Sequence, residues 1–168
     1  MKLSMYQASV PVFTRMMNNL ATILEKAAAH AEARKIDPAV LLNSRLFPDM
    51  FALSRQVQIV SDTAKGCAAR LAGLEPPKYE DNEASFPELI TRLKKTVDFL
   101  NTVSAEQIDG SEDKTITVPM RSGPLTFAGM PYLLGFAMPN FYFHLTTAYD
   151  ILRHNGVEIG KMDYLGQV

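Results

Sequence analysis

The chain has no tryptophan, one cysteine and three histidines in 168 residues, and each shortage excludes something. The single thiol, Cys67, cannot close an internal disulfide, so a disulfide-stapled secreted domain is excluded and a reducing, cytoplasmic compartment is expected. Nowhere do about 18 apolar residues follow one another. The stretch from Met1 to Tyr6 lacks the apolar core of a signal peptide, so neither secretion nor a membrane span is expected. An excess of one charge is missing too: 17 Lys and Arg face 18 Asp and Glu, for a formal net charge of -1. Binding to nucleic acid or an anionic membrane calls for a basic patch, so no such partner is expected. Also absent are a glycine-rich phosphate loop, a nucleophile elbow, zinc-spaced cysteine pairs and a His-Glu-x-x-His motif.

What is present fits an ordinary globular chain, with 47% apolar and 21% charged residues. One domain over residues 1–168 is the natural count. From Val12 to about Arg34, Val12, Met16, Leu20, Ile23 and Ala27 repeat at helical spacing and predict helix one. Asp37 and Pro38 suit the cap and first residue of a short helical turn. The series Met50, Leu53, Val57, Val60, Ala64, Cys67 and Leu71 steps by three and four and predicts helix two, ended by Gly73. Pro76 and Pro77 make Leu74 to Ala84 an extended crossover. Ser85 and Glu88 form a capping-box pair ahead of Phe86, Ile90, Leu93, Val97 and Leu100, the stripe of helix three, which ends near Val103.

Residues 114–128 read as a short hairpin turning at Ser122, Gly123 and Pro124. Helix four starts near Met130 with the stripe Leu134, Met138, Phe141, Leu145, Ala148 and Leu152, is kinked at Pro139, and stops at Asn155 and Gly156. Val157, Ile159, Tyr164 and Leu165 give the tail a face that can dock. Four stripes of similar width call for one shared core, which makes the fold class all-α: a four-helix bundle with a small β-hairpin between helices three and four.

His144 lies beside the buried stripe of helix four and is the most promising polar group of the chain. A helical metal site wants a second ligand one turn on, yet that position is Ala148, so a hydrogen-bonded structural role competes with ligation. Gln56 and Thr63, seven residues apart on helix two, share a side and can line a small-molecule cleft opposite His144. His154 suits the carbonyl end of helix four, His30 edges helix one, and Asp62 with Lys65 reads as a weak surface ion pair. Phe141, Tyr142 and Phe143 nearly circle their helix, so one ring must meet the hairpin, the tail or a second subunit, and a homodimer is one expectation.

The order of elements, with the segments YQASVPVF at 6–13, FALSRQVQIVSDTAKG at 51–66 and PNFYFHLTTAYDILRHNGVEIGKMDYLG at 139–166, resembles the DinB/YfiT-like superfamily. Within it, the chain resembles the bacterial family called domain of unknown function nineteen ninety-three. The resemblance implies an up-down-down-up bundle. Many relatives hold a divalent metal through a histidine of helix two and a His-x-x-x-His pair of helix four, and some are thiol-dependent transferases or isomerases. Of that set only His144 matches here: Ala148 takes the second place, and helix two offers Gln56, Asp62 or Thr63. Three readings follow. The first is a bundle binding a small ligand near His144 with no resident cofactor. The second is a divergent metal- or thiol-dependent transferase or hydrolase with a degenerate metal site, and the third is a dimeric interaction module.

Overall fold

The computed structural model describes residues 3–120 and 122–166, so the tail's Gln167 and Val168 lie outside it. Helix α1 (Val10–Arg34) carries Phe13, Met17, Leu20, Leu24 and Ala27 fully inward and ends where Lys35 turns left-handed at φ 55°. The short α2 (Pro38–Leu42) forms as its sequence dictates, with the Asp37 carboxylate accepting the Ala39 N–H at 2.9 Å. Helix α3 (Leu53–Ala72) follows. Its exposed carbonyl end is finished by Gly73 at φ 77° and by Lys114, whose ammonium donates to the Leu71 carbonyl at 3.0 Å.

The segment from Leu74 to Ala84 is extended, as its prolines require. It leads into α4 (Phe86–Asn101), where the Ser85 hydroxyl accepts the Glu88 N–H but the Glu88 carboxylate accepts from Ala84, one residue before the box position. A single turn, α5 (Ala105–Ile108), was not legible in the apolar pattern. Strands β1 (Thr115–Val118) and β2 (Leu125–Ala128) pair antiparallel, with Ile116 opposite Phe127. The chain then enters α6 (Gly129–Pro131), a π-helical segment over Tyr132–Ala137, and α7 (Met138–His154). Last comes α8 (Lys161–Leu165), which lies on α1 through a Lys26–Asp163 ion pair and an Asn19 amide donating to the Tyr164 carbonyl.

Cross-helix contacts fix the directions. Phe13 meets Phe141 edge-on at 4.8 Å near the start of α1 and of α7, which therefore run parallel. Gln56 meets His144 while Thr63 meets Asn140, so α3 and α7 run antiparallel. Beyond the end of α4, Asp109 accepts the Tyr6 N–H just before α1, which sets those two helices antiparallel. The protein is thus an all-α, up-down-down-up bundle with one two-stranded hairpin, and the extended crossover is what lets α3 and α4 run the same way.

Two expectations need correction: Met50 lies half-buried in a bend before α3 and not on its stripe, and the stripe of helix four shifts near its start. Leu134 is 55% exposed, and Leu133 and Ala137 take the core positions instead. The cause is the π-helical widening, in which the Met138 N–H donates to the Leu133 carbonyl five residues back. Pro139 has no N–H to give and would press on the carbonyl four residues behind it, so the turn before it is wide. At the far end of α7 the stop falls where expected, with Asn155 as the cap at φ -84° and Gly156 left-handed at φ 88°.

Candidate functional site

Helices α3 and α7 face each other along a seam that carries polar groups beside the core. Gln56 is 1% exposed. Its amide nitrogen donates to the Phe51 carbonyl at 3.0 Å, which turns its oxygen toward α7, 2.6 Å from Nδ1 of His144. Since Gln56 Oε1 can only accept, Nδ1 of His144 carries the proton, and in the neutral ring Nε2 is left as a lone-pair acceptor. Among the described residues Nε2 has no protein partner, and it is not one of the buried unpaired side-chain atoms, Thr14 Oγ1 and Ser111 Oγ, so it meets solvent. Burial of the ring, followed by the nearby Arg55 guanidinium, holds the imidazole below its usual value of 6.5. The result is a fixed, neutral hydrogen-bond acceptor, a state that a ligand contact or a general base can use.

One aromatic ring packs on this group, and another stands just before α3. The Phe143 ring packs edge-on to His144 at 5.2 Å and is 56% exposed, while Phe51, 54% exposed, sits under Arg55 with the guanidinium carbon 6.0 Å from the ring centre. Of the crowded trio in helix four, Phe141 enters the core, Tyr142 is half-buried against it, and Phe143 is the ring left outside.

Thr63 does not join His144. It accepts from the Asn140 amide at 3.1 Å, about two helical turns or 10 Å along α3 from Gln56. His154 is exposed at the last position of α7, and His30 is half-buried on α1, apart from the seam. Cys67 is fully buried, and that burial pushes its thiol up to about 12, so it is no nucleophile.

Asp62 and Lys65 form more than a surface pair. The Lys65 ammonium, on a side chain only 7% exposed, donates to the Asp62 carboxylate at 2.6 Å. That same carboxylate receives Arg92 of α4 at 2.7 Å. Arg92, 2% exposed, also meets Asp81 at 3.0 Å and Glu83 at 2.9 Å, which pins the crossover onto α3 and α4. Arg55 is paired with Asp81 as well, and Tyr79 lies under Lys65 and Lys95 with their nitrogens 4.0 and 4.3 Å from its ring centre. Sequence reasoning missed this network, because its acids sit in the aperiodic crossover and Arg92 interrupts the apolar stripe of its helix.

The sequence matches the family described as a domain of unknown function (DUF1993) over residues 5–165. The chain belongs to that family. A crystal structure described as a DinB family member protein from Shewanella denitrificans is similar to this DUF1993 chain, with a TM-score of 0.89 and 44% sequence identity over 97% of this chain and 92% of that one. No curated protein matches it.

The divalent metal implied by the resemblance does not fit the residues of this DUF1993 protein. Among the described residues no three His, Cys, Asp or Glu side chains come together in a way that could hold an ion. The position one turn after His144 is Ala148, fully buried, and the group that α3 brings to His144 is a neutral amide already bonded to it. No described helix is long and apolar enough to cross a membrane.

Proposed function

We propose that the protein binds a small molecule at the α3–α7 seam. His144 Nε2 accepts a hydrogen bond from the ligand there, and Phe51 and Phe143 cover its apolar part. The observation that carries this reading is the chain of bonds from Phe51 through Gln56 to His144, which orients a half-buried imidazole and keeps its outer nitrogen free. Preorganised acceptors of this kind are what small-molecule sites use for orientation. No resident metal is needed, and the lone reduced Cys67 supports a cytoplasmic location.

Fragment titration followed by NMR tests the reading. Donor-bearing aromatic fragments should shift the His144 ring resonances saturably, and His144→Phe should lose the effect while staying folded. Hits that leave the His144 ring unmoved would contradict the reading. So would a stoichiometric metal in protein purified without a histidine tag, where less than about a tenth of an equivalent is expected.

Exposure of Phe143 and Phe51 together favours a second reading, in which this aromatic surface is the contact of a homodimer. Sedimentation across working concentrations separates the two. A monomer throughout removes the dimer and leaves the ligand site standing.

A further inference from the structure

Further along the same side of α3, past the Thr63–Asn140 pair and about two turns from Gln56, lies a cleft of about 260 Å³ between that helix, the hairpin, the π-helical segment and the start of α7. Thr63, Arg70, Val118, Met120, Tyr132 and Phe136 line it. A second depression of about 380 Å³ opens on the crossover side, and Arg70 lines both. The Arg70 guanidinium, half-buried, has one hydrogen bond, Nη1 to the Tyr132 hydroxyl at 3.2 Å, and among the described residues no carboxylate within ion-pairing distance. The acid of the cleft, Asp62, is already taken by Lys65 and Arg92.

The helix is built to seat this cation. Gly66 stands in α3 one turn before Arg70, and a β-carbon on it would lie 2.5 Å from Arg70 Nη1. A glycine inside a helix is unfavourable relative to alanine, so its bare backbone answers a spatial need: the guanidinium lies where a side chain would stand. Around it, the Tyr132 and Thr63 oxygens each accept one bond and keep their own protons to donate. Desolvation raises the Tyr132 phenol to about 12, so it stays a donor at any ordinary pH. Asp62 and Asn140 also line the cleft but are engaged, by Lys65 and Arg92 and by Thr63, and the wall facing them is apolar: Val118, Met120, Ala137 and Phe136, with Tyr132 and Phe136 backed by Phe127 at 5.9 and 5.2 Å between ring centres.

We infer that this cleft binds a small organic monocarboxylate, its carboxylate on Arg70 with the Tyr132 hydroxyl and its apolar body against Met120 and Phe136. One unpaired planar cation matches one carboxylate, because its fork takes both oxygens. A volume just under the usual range for ligand pockets sets a limit well below a nucleotide. The inference is independent of the His144 reading, since Arg70 and Gln56 lie on different stretches of α3.

Titration by calorimetry or NMR with phenylacetate and hexanoate tests it, with phenylacetamide as the uncharged isostere and inorganic phosphate as the bare anion. Saturable binding of at least one carboxylate is expected, with phenylacetamide and phosphate each at least tenfold weaker. Arg70→Gln should weaken carboxylate binding at least tenfold. Gly66→Ala, which keeps every charge and only evicts the guanidinium, should do the same, and it gives the answer if Arg70→Gln fails to fold. Arg153→Gln, on the exposed end of α7, should bind as the parent does. The inference is overturned if no carboxylate saturates, if the amide or phosphate binds equally well, or if a folded Gly66→Ala protein binds undiminished.

Discussion

Gln56 fixes the proton of His144: with its amide nitrogen spent on the Phe51 carbonyl, only its oxygen can face the imidazole, 2.6 Å from Nδ1. A residue of α3 thereby sets both the tautomer and the rotation of a residue 88 positions away on α7. Replacing Gln56 with Leu leaves the buried side of the ring without an acceptor and frees the Phe51 carbonyl. Stability should fall by about 1–3 kcal/mol, read from urea unfolding, because an unmade bond at a buried donor carries its full desolvation cost.

The same geometry gives a pH dependence with a definite sign. Burial and Arg55 lower the His144 pKa in the folded protein below the ordinary 6.5 of the unfolded chain. The unfolded state therefore binds the extra proton first as pH falls. The His144 term is zero above the unfolded value, and stability drops as pH passes below 6.5 toward the folded pKa. His144→Asn keeps a donor and removes the titration. Between pH 7 and 5 the parent should lose more melting temperature than this variant does. Parallel losses would show that His144 is not held neutral.

The bundle was legible because four segments repeat their apolar residues at helical spacing, and Leu53 through Leu71 of α3 are buried as that spacing requires. The helix directions came from the family resemblance, with which the long proline-containing crossover agrees. What escaped was local. Leu134 points outward because a π-helical segment precedes Pro139, and no apolar period reports an extra residue in a turn. That Gln56 and Thr63 share a side of their helix was readable; that they meet different partners, His144 and Asn140, was not, since those partners sit on another helix. Arg70 carried no signal at all. Its role depends on a glycine one turn away and a tyrosine beyond the hairpin.

Arg92 holds the crossover. Its guanidinium meets three carboxylates, Asp62, Asp81 and Glu83, and donates to the Ser61 hydroxyl and the Glu80 carbonyl. Arg92→Met should cost about 1–3 kcal/mol, since the largely buried Glu83 loses its cation while the more exposed Asp62 and Asp81 keep Lys65 and Arg55, and should expose the segment around Tyr79 to limited proteolysis. Arg92→Lys should not restore resistance, because one ammonium cannot span the same set.

Gly129 marks a place where two backbones touch. A β-carbon there would stand 1.9 Å from the Ser111 carbonyl oxygen, and the next N–H, of Met130, donates to the Glu112 carbonyl at 2.8 Å. Gly129→Ala must push the entry of helix four off the loop before the hairpin, at about 1–3 kcal/mol. Gly66→Ala, by contrast, meets only the far end of a flexible side chain and should unfold at the parent's denaturant concentration or above it. Equal destabilisation by both changes in a thermal melt would contradict this contrast.

The most direct test of the seam is the protonation state of the His144 ring itself, read from a long-range proton–nitrogen NMR spectrum of labelled protein near pH 7. A neutral imidazole with the proton on Nδ1 and a bare Nε2 is expected, reverting toward the ordinary mixture in Gln56→Leu. A proton resident on Nε2, or a fully charged ring, would contradict the account.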